Sequence, residues 1–238
     1  LFSWRNEVLP GTWVAFTDAA AGNLALHVGD DPAEVRRRRD LLESASGIKP
    51  RHFQYMNQVH GSDVLILETG SAAHDAAGPT ADGLVSRGMP LAVMVADCVP
   101  VVMVAEPAAG TGSLPILAAV HAGRPGVAAG IVPAAIQKMR DAGAVDIRAW
   151  VGPSICGSCY EVPGSMRDSV TAVVPATWSQ TSWGTPGLDL PAGVRSQLEA
   201  EGVAIEYAGP CTLENASLYS YRRNRETGRF AGLVWTHD

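Results

Sequence analysis

Residues 91–105 read LAVMVADCVPVVMVA, and residues 116–123 read ILAAVHAG. The runs LAVMVAD, VPVVMVA and ILAAV are almost wholly apolar, too short to cross a bilayer and too greasy to leave one face in water, so they predict strands covered on both sides. Strands of that kind need further layers above and below. Upstream, HFQYMNQV and DVLILE are β-rich, and downstream AVDIRAWVG at 144–152 and the C-terminal GRFAGLVW predict further strands. Helices are predicted where the period changes. DDPAEVRRRRDLLESASG, 30–47, offers Asp30 or Asp31 as N-cap, Pro32 in the first turn, Leu41 and Leu42 on a stripe, and Gly47 at the end. Its Arg36–Arg39 run reads as a solvated face, paired at helical spacing with Glu34, Asp40 and Glu43. After His121, GRPGVAAGIVPAAIQKMRDAGA reads as a Gly-rich turn and then a helix carrying Val127, Ile131, Ala135, Ile136 and Met139, interrupted or kinked by Pro133. RSQLEAEGVAIEYAG, 195–209, reads as a helix followed by a strand. With neither a repeat nor a Gly/Pro linker, the pattern predicts one domain, an α/β layered sandwich.

The chain has 238 residues and a formal charge of −6, which argues against a general nucleic-acid binder and leaves small-molecule chemistry as the better expectation. Its 18 basic side chains include only two Lys, Lys49 and Lys138, so anion recognition falls to Arg and a Schiff-base lysine has almost no candidates. Four Cys are too few for a disulfide scaffold and suit a reducing compartment. The opening LFSWRNEVLP lacks a charged segment followed by an apolar run, and no uninterrupted apolar stretch reaches the ~18 residues of a membrane span. A cytoplasmic protein without membrane contact is expected.

His60 in NQVHGSD and His121 in AAVHAGRPG stand where an apolar run meets a glycine, positions that read as turns, and Cys98 in VMVADCVP follows a strand. Three borderline-to-soft ligands thus fall at the ends of three strands of what reads as one sheet system. Catalytic zinc commonly takes three ligands from separate elements and leaves the fourth position open, and a His2Cys set also accepts copper. Each residue also has an ordinary explanation, as a turn or satisfied histidine or as a buried hydrophobic cysteine. Spacing leaves the two readings open. The CxxC at Cys156–Cys159 could be redox-active or half of a structural zinc site, but it lacks a second CxxC, so core or loop cysteines are the expectation. The AGRPG turn could cradle an anion with Arg124 as counter-charge, although it lacks the lysine of a nucleotide-binding P-loop.

NLALHVGDDP at 23–32, NQVHGSDV at 57–64, ADGLVS at 81–86, ADCVPV at 96–101, HAG at 121–123, VGPS and CYEV between 151 and 162, and SYRR and TGR between 220 and 229 occur in this order. Together they resemble the YfiH or laccase-domain family, also described as polyphenol oxidase-like, peptidoglycan-editing-factor and purine-nucleoside-phosphorylase-like proteins. The resemblance implies a single domain spanning 1–238, a layered α/β sandwich of mixed β-sheets covered by helices, with His60, Cys98 and His121 as zinc ligands. It implies phosphorolysis of adenosine, inosine, guanosine or methylthioadenosine and hydrolytic deamination of adenosine, with a purine nucleoside and phosphate as the partners and no protein partner specified. Zinc, or copper in its stead, would be the cofactor. Asp97 or a neighbouring polar group would handle protons, while Asn23, Gln58 and Arg222, together with Arg124, would contact substrate. The chain departs from the family pattern in reading HAGRPG for HAGWRG, and TDAAAGN, with Asp18, where a cation is usual. CGSCYEV adds Cys156 upstream of Cys159, and neither cysteine is given a catalytic role.

Other readings use the same residues. A multicopper oxidase of phenols needs about ten histidines for four coppers; this chain has six, of which His27, His52, His74 and His237 lie in unremarkable polar or terminal contexts, which leaves only laccase-like polyphenol oxidase activity from a single copper loaded into the His2Cys set. A metal-free cysteine hydrolase acting on a cell-wall precursor would use Cys98 as nucleophile and His121 as base. A non-enzymatic scaffold would instead expose a large apolar patch.

Overall fold

The computed structural model describes residues 1–68, 78–106 and 114–237; His74 lies outside them. In chain order the strands are β1 (Phe2–Leu9), β2 (Thr12–Thr17), β3 (Val64–Leu67), β4 (Gly83–Arg87), β5 (Leu91–Val95), β6 (Val99–Ala105), β7 (Ile116–Ala122), β8 (Ile147–Val151), β9 (Trp178–Gln180), β10 (Pro186–Leu188), β11 (Ala204–Ala208) and β12 (Phe230–Thr236). The α-helices are α1 (Pro32–Ser46), α2 (Arg124–Ala128), α3 (Ile131–Asp141), α4 (Gly164–Thr171) and α5 (Leu190–Ala200).

A six-stranded mixed sheet, β11-β8-β6-β7-β4-β3, packs on a four-stranded sheet, β1-β2-β12-β5. Alternation along the strands divides their side chains between two interiors. Val101 and Met103 of β6 and Ala118 and Val120 of β7 point toward Val127 of α2, Ile131, Ala135 and Ile136 of α3, and Val194 and Leu198 of α5. Val102 and Val104, with Leu117 and Ala119, face the other way and meet Val93, Phe16, Phe230 and Val234 between the sheets. The far face of the smaller sheet, through Ala15, Met94, Leu233 and Trp235, packs on Leu42 of α1 and on Ile48, Phe53 and Tyr55. The result is a single-domain α/β sandwich whose layers run helix, sheet, sheet, helix. The apolar runs are covered on both sides, by a sheet on one and helices on the other. No helix among the described residues is long and apolar enough to cross a membrane.

α1 starts and stops as its sequence predicts: the Asp31 carboxylate accepts from the Ala33 N–H, and Gly47 closes the helix at φ 72°. Its arginine run is not one solvated face. Arg37 pairs with Glu34 at 2.8 Å and Arg38 with Asp30 at 2.5 Å, but Arg39 turns inward, donating to the Leu24 carbonyl and lying 3.7 Å from the Tyr55 ring centre.

The helix after His121 breaks, but not at Pro133. α2 and α3 part at Gly130, whose φ of 82° is left-handed, while Pro133 sits in the first turn of α3, where a missing N–H leaves no helical bond unmade. The third predicted helix begins at Leu190 rather than near 195, capped by Asp189. The β1–β2 hairpin, turning at Pro10-Gly11, carries no alternation strong enough to announce it.

HFQYMNQV is not a strand. It makes only single bridges, Gln54 to Leu91 and Asn57 to Thr80. It runs along the open edge of β5, where the Gln58 side chain completes the pairing: its amide donates to the Met94 carbonyl at 2.7 Å and accepts from the Met94 N–H at 2.9 Å. A side-chain amide here does what a neighbouring strand's backbone would do, and so blunts a sheet edge.

Candidate active site and metal centre

The crossover between the two sheets builds the site. β5 ends in the smaller sheet and β6 begins in the larger one, so Asp97-Cys98 bridge the gap between them. The strand ends therefore do not belong to one sheet system, and His121 is not in a turn but near the end of β7, opposite Pro100 of β6. His60 arrives from the loop before β3. Its φ of 62° and that of Asp97, 90°, are the only positive values outside glycine among the described residues. Non-glycine residues adopt this region at a cost and do so most often at functional sites.

At His60 the cost is met by one buried carboxylate. Asp82, fully buried just before β4, accepts from the backbone N–H groups of His60 at 2.9 Å, Gly61 at 2.6 Å and Val59 at 3.3 Å. The left-handed turn makes these successive donors converge, forming a concave anion site filled from within. The same carboxylate accepts from His121 Nδ1 at 2.7 Å. In the neutral imidazole that a metal would bind, this bond keeps the proton on Nδ1 and the lone pair on Nε2, the arrangement of metal-binding histidines that lean on a carboxylate. Asp82 thereby orients two of the three expected ligands.

The three donors converge. One ligand atom from each of His60, Cys98 and His121 lies within 4.8 Å of the others; Cys98 Sγ is 3.8 Å from His60 Nε2, and the two imidazole rings stand at 74° with centres 4.7 Å apart. Burial alone would raise the Cys98 thiol, but the His121 imidazole, with help from His60, overcomes this and pulls it down to about 6. Burial would likewise lower His121, yet the Cys98 sulfur and Asp82 raise it to about 9. Desolvation works against the Asp82 carboxylate too, and the bonds from His121, Gly61 and His60 still hold it below its ordinary range. A charged sulfur and a bound carboxylate are what a dication requires of its surroundings. Gly123 keeps the centre open: a Cβ there would stand 2.7 Å from His60 Cδ2 and 3.5 Å from Cys98 Sγ. Donor chemistry and this cradle both fit a metal ion.

The centre floors a cavity of about 540 Å³, in the size range of small-molecule sites, whose lining includes His27, Gln58, Arg124, Tyr160, Tyr221, Arg222 and Arg229. Arg124 opens α2 beside Gly123. The Arg222 guanidinium donates to the Glu161 carbonyl at 2.7 Å and lies 4.7 Å from the Tyr160 ring centre. The His27 pKa is lowered by burial first and then by Arg229 and Arg39, which favours its neutral imidazole.

Not every expected residue reaches the cavity with a free group. Asn23 is not among its lining residues. Its amide oxygen accepts from the Ala25 and Arg229 N–H groups, and its nitrogen donates to the Ala25 carbonyl and Asp30, so it ties the Arg229 segment to the loop before α1. Gln58 lines the cavity with its amide committed to Met94. Asp97 lines it too, but one carboxylate oxygen accepts from Thr212 Oγ1 at 2.6 Å and the other from the Arg222 N–H at 2.7 Å. Those bonds give it the duty of holding a wall in place. Asp82, His27, Tyr160, Tyr221 and Arg229 went unassigned by sequence reasoning, although each lies within a segment quoted above; what hid them is that burial and direction are not written in a motif.

Comparison with known proteins agrees with the fold. The family model described as multi-copper polyphenol oxidoreductase laccase matches residues 14–237. A Streptomyces griseus protein named purine nucleoside phosphorylase ORF3 is 48% identical over 93% of this chain and 93% of its own length. The Escherichia coli protein named purine nucleoside phosphorylase YfiH is 36% identical over 90% of this chain and 85% of its own. Among solved structures, YlmD from Geobacillus stearothermophilus superposes with a TM-score of 0.81 at 32% identity, covering 96% of this chain and 93% of that one.

Proposed function

The chain belongs to the laccase-like family that includes the YfiH proteins, and from that membership we propose that it is a zinc-dependent purine nucleoside enzyme. It cleaves adenosine, inosine, guanosine or methylthioadenosine with phosphate and deaminates adenosine with water. The observation that carries the reading is the meeting of His60, Cys98 and His121 on the floor of a cavity walled by Arg124, Arg222 and Arg229. The names of the Streptomyces and Escherichia relatives support the substrate class.

When bound, zinc supplies Lewis acidity and an open coordination position next to the substrate. The protein does the rest by position. The three arginines gather an oxyanion such as phosphate and hold it against the ribose, where one phosphate oxygen forms a bond to the anomeric carbon as the C–N bond to the base breaks. Tyr160 and Tyr221 offer ring faces to an aromatic base. The departing base leaves with the bonding electron pair and takes up a proton. Hydrogen phosphate carries the proton that balances this step, and because both Asp97 oxygens are committed to the wall, we assign its relay to His27, whose neutral imidazole accepts on one ring nitrogen as it donates from the other. Gln58 and Asn23 act as positioning residues. In deamination, water adds to the amino-bearing carbon of the purine and ammonia departs.

Single His60→Ala, Cys98→Ala and His121→Ala substitutions are expected to abolish nucleoside turnover while the circular-dichroism melt stays near that of the unmodified protein; turnover retained in all three rejects the assignment. Chromatography of adenosine incubated with phosphate separates adenine, the phosphorolysis product, from inosine, the deamination product. One further observation favours a second reading. Asp82, His121 and Cys98 stand in the order of a hydrolase triad, with an acidified thiol. Under that reading a chelator leaves turnover intact, and under the zinc reading it abolishes it.

A further inference from the structure

Beside the cavity wall lies a second group of soft donors that the proposed reaction does not use. The segment CGSC, 156–159, folds back on itself, with the Cys159 and Tyr160 N–H groups both donating to the Cys156 carbonyl at 3.0 Å. The segment CTLE, 211–214, is laid against it by a parallel bridge between Ser154 and Cys211 and by the Thr212 N–H donating to the Ser154 carbonyl at 3.1 Å. One ligand atom from each of Cys156, Cys159, Cys211 and Glu214 lies within 4.8 Å of the others. From this convergence we propose that Cys156, Cys159, Cys211 and Glu214 form a second, structural site for a thiophilic divalent cation, with zinc the best match.

The missing partner of the CxxC is a CxxE. Paired donors two residues apart on each of two turns are how closed tetrahedral zinc sites are assembled, and thiolates select zinc over harder dications. A zinc–sulfur distance of about 2.3 Å sets tetrahedral ligand atoms roughly 3.8 Å apart, so the four donors need only a small inward movement. Cys159 is buried and 3.5 Å from Glu214 Oε1, and the Cys156 N–H donates to Cys211 Sγ at 3.4 Å, a bond that favours the thiolate. All three cysteines are free thiols. Three thiolates and a carboxylate exceed the charge of one dication. Arg223 offsets part of the excess: its guanidinium donates to the carbonyls of Thr212, Leu213 and Asn215, wrapping the loop that carries two of the ligands.

The site would lock two loops that shape the cavity. Thr212, next to Cys211, donates to Asp97, and Ile155, next to Cys156, donates its N–H to the Asp97 carbonyl at 3.0 Å. Tyr160 and Glu161, which follow Cys159, are the residues that the Arg222 guanidinium contacts. The cation therefore acts by positioning and takes no part in the reaction.

Metal analysis of the Cys98→Ala/His121→Ala double variant, which lacks the first centre, tests the proposal. One equivalent of zinc per chain is expected to remain after gel filtration, and cobalt(II) in its place should show thiolate-to-metal charge transfer and the visible bands of a tetrahedral ion. Adding Cys156→Ser and Cys211→Ser should remove both signals. Should that variant not fold, Glu214→Gln, on the exposed side of the site, should keep the thiolate band and hold cobalt at least tenfold more weakly. The unmodified chain gives an independent count of two equivalents. A folded double variant that binds neither metal, or three cysteines that react with a thiol reagent equally fast with and without zinc, overturns the proposal, whereas one equivalent in both the unmodified chain and the double variant rejects the first centre instead.

Discussion

Asp82 shows how much one side chain can organise. It is fully buried, yet it is bound by His121 and by three successive backbone N–H groups around His60. Asp82→Asn keeps the shape but turns one acceptor into a donor facing donors. Its expected effect is a fall in metal affinity of about 10–100-fold, with a stability loss of about 1–3 kcal/mol from unmet buried hydrogen bonds. Competition against a chromophoric chelator and a urea melt measure the two; unchanged affinity would remove Asp82 from the ligand-orienting role. Gly123 makes the complementary point. Its φ of −75° strains no side chain, so Gly123→Ala is expected to spare the melt to within about 1 kcal/mol. Metal should nonetheless be lost, because the new methyl stands against His60 and Cys98. Metal content measured alongside the thermal melt distinguishes crowding of the centre from general unfolding. His60, Cys98 and His121 were legible in the sequence as chemistry-bearing residues, whereas Asp82 was not: an aspartate before a strand carries no mark of what it will face.

At the scale of elements, the break between α2 and α3 separates two explanations that look alike in sequence. A proline within a helical pattern suggests a kink, but Pro133 lies in a first turn, and the change of direction is made by Gly130 at φ 82°. Gly130→Ala meets no close atom, since its Cβ would be 3.5 Å from Pro133 Cγ. Its cost is therefore that of left-handed backbone, about 1–2 kcal/mol. Pro133→Ala should change stability by no more than about 0.5 kcal/mol. Paired denaturant titrations check both, and the reverse ranking would restore the kink to the proline. The strands show the same division between legible and hidden. Continuous apolar runs announced β5, β6 and β7, but HFQYMNQV, equally β-rich, stays a loop because the Gln58 amide satisfies the edge of β5. Propensity describes what a segment tolerates, and the neighbour's unpaired backbone groups decide what it does.

For the whole molecule, the arrangement of layers limits the chemistry. Among the described residues only two groups could hold a metal, and neither offers more than two histidines. Copper-loaded protein passed through gel filtration is therefore expected to retain no more than two equivalents per chain and to lack the coupled cluster that four-electron oxygen reduction requires. Three or more tightly held coppers would contradict this. The sequence by itself determined the layered α/β architecture, because runs apolar on both faces have no stable home except between other layers, and it determined which residues carry ligand chemistry. Only the tertiary structure decided how those residues combine. The β5–β6 crossover carries Cys98 between the two sheets, a carboxylate many residues away aims two histidines at it, and packed loops turn a lone CxxC into part of a four-donor cluster. Convergence in space is set by packing between segments distant along the chain, and local composition and period contain no term for that distance.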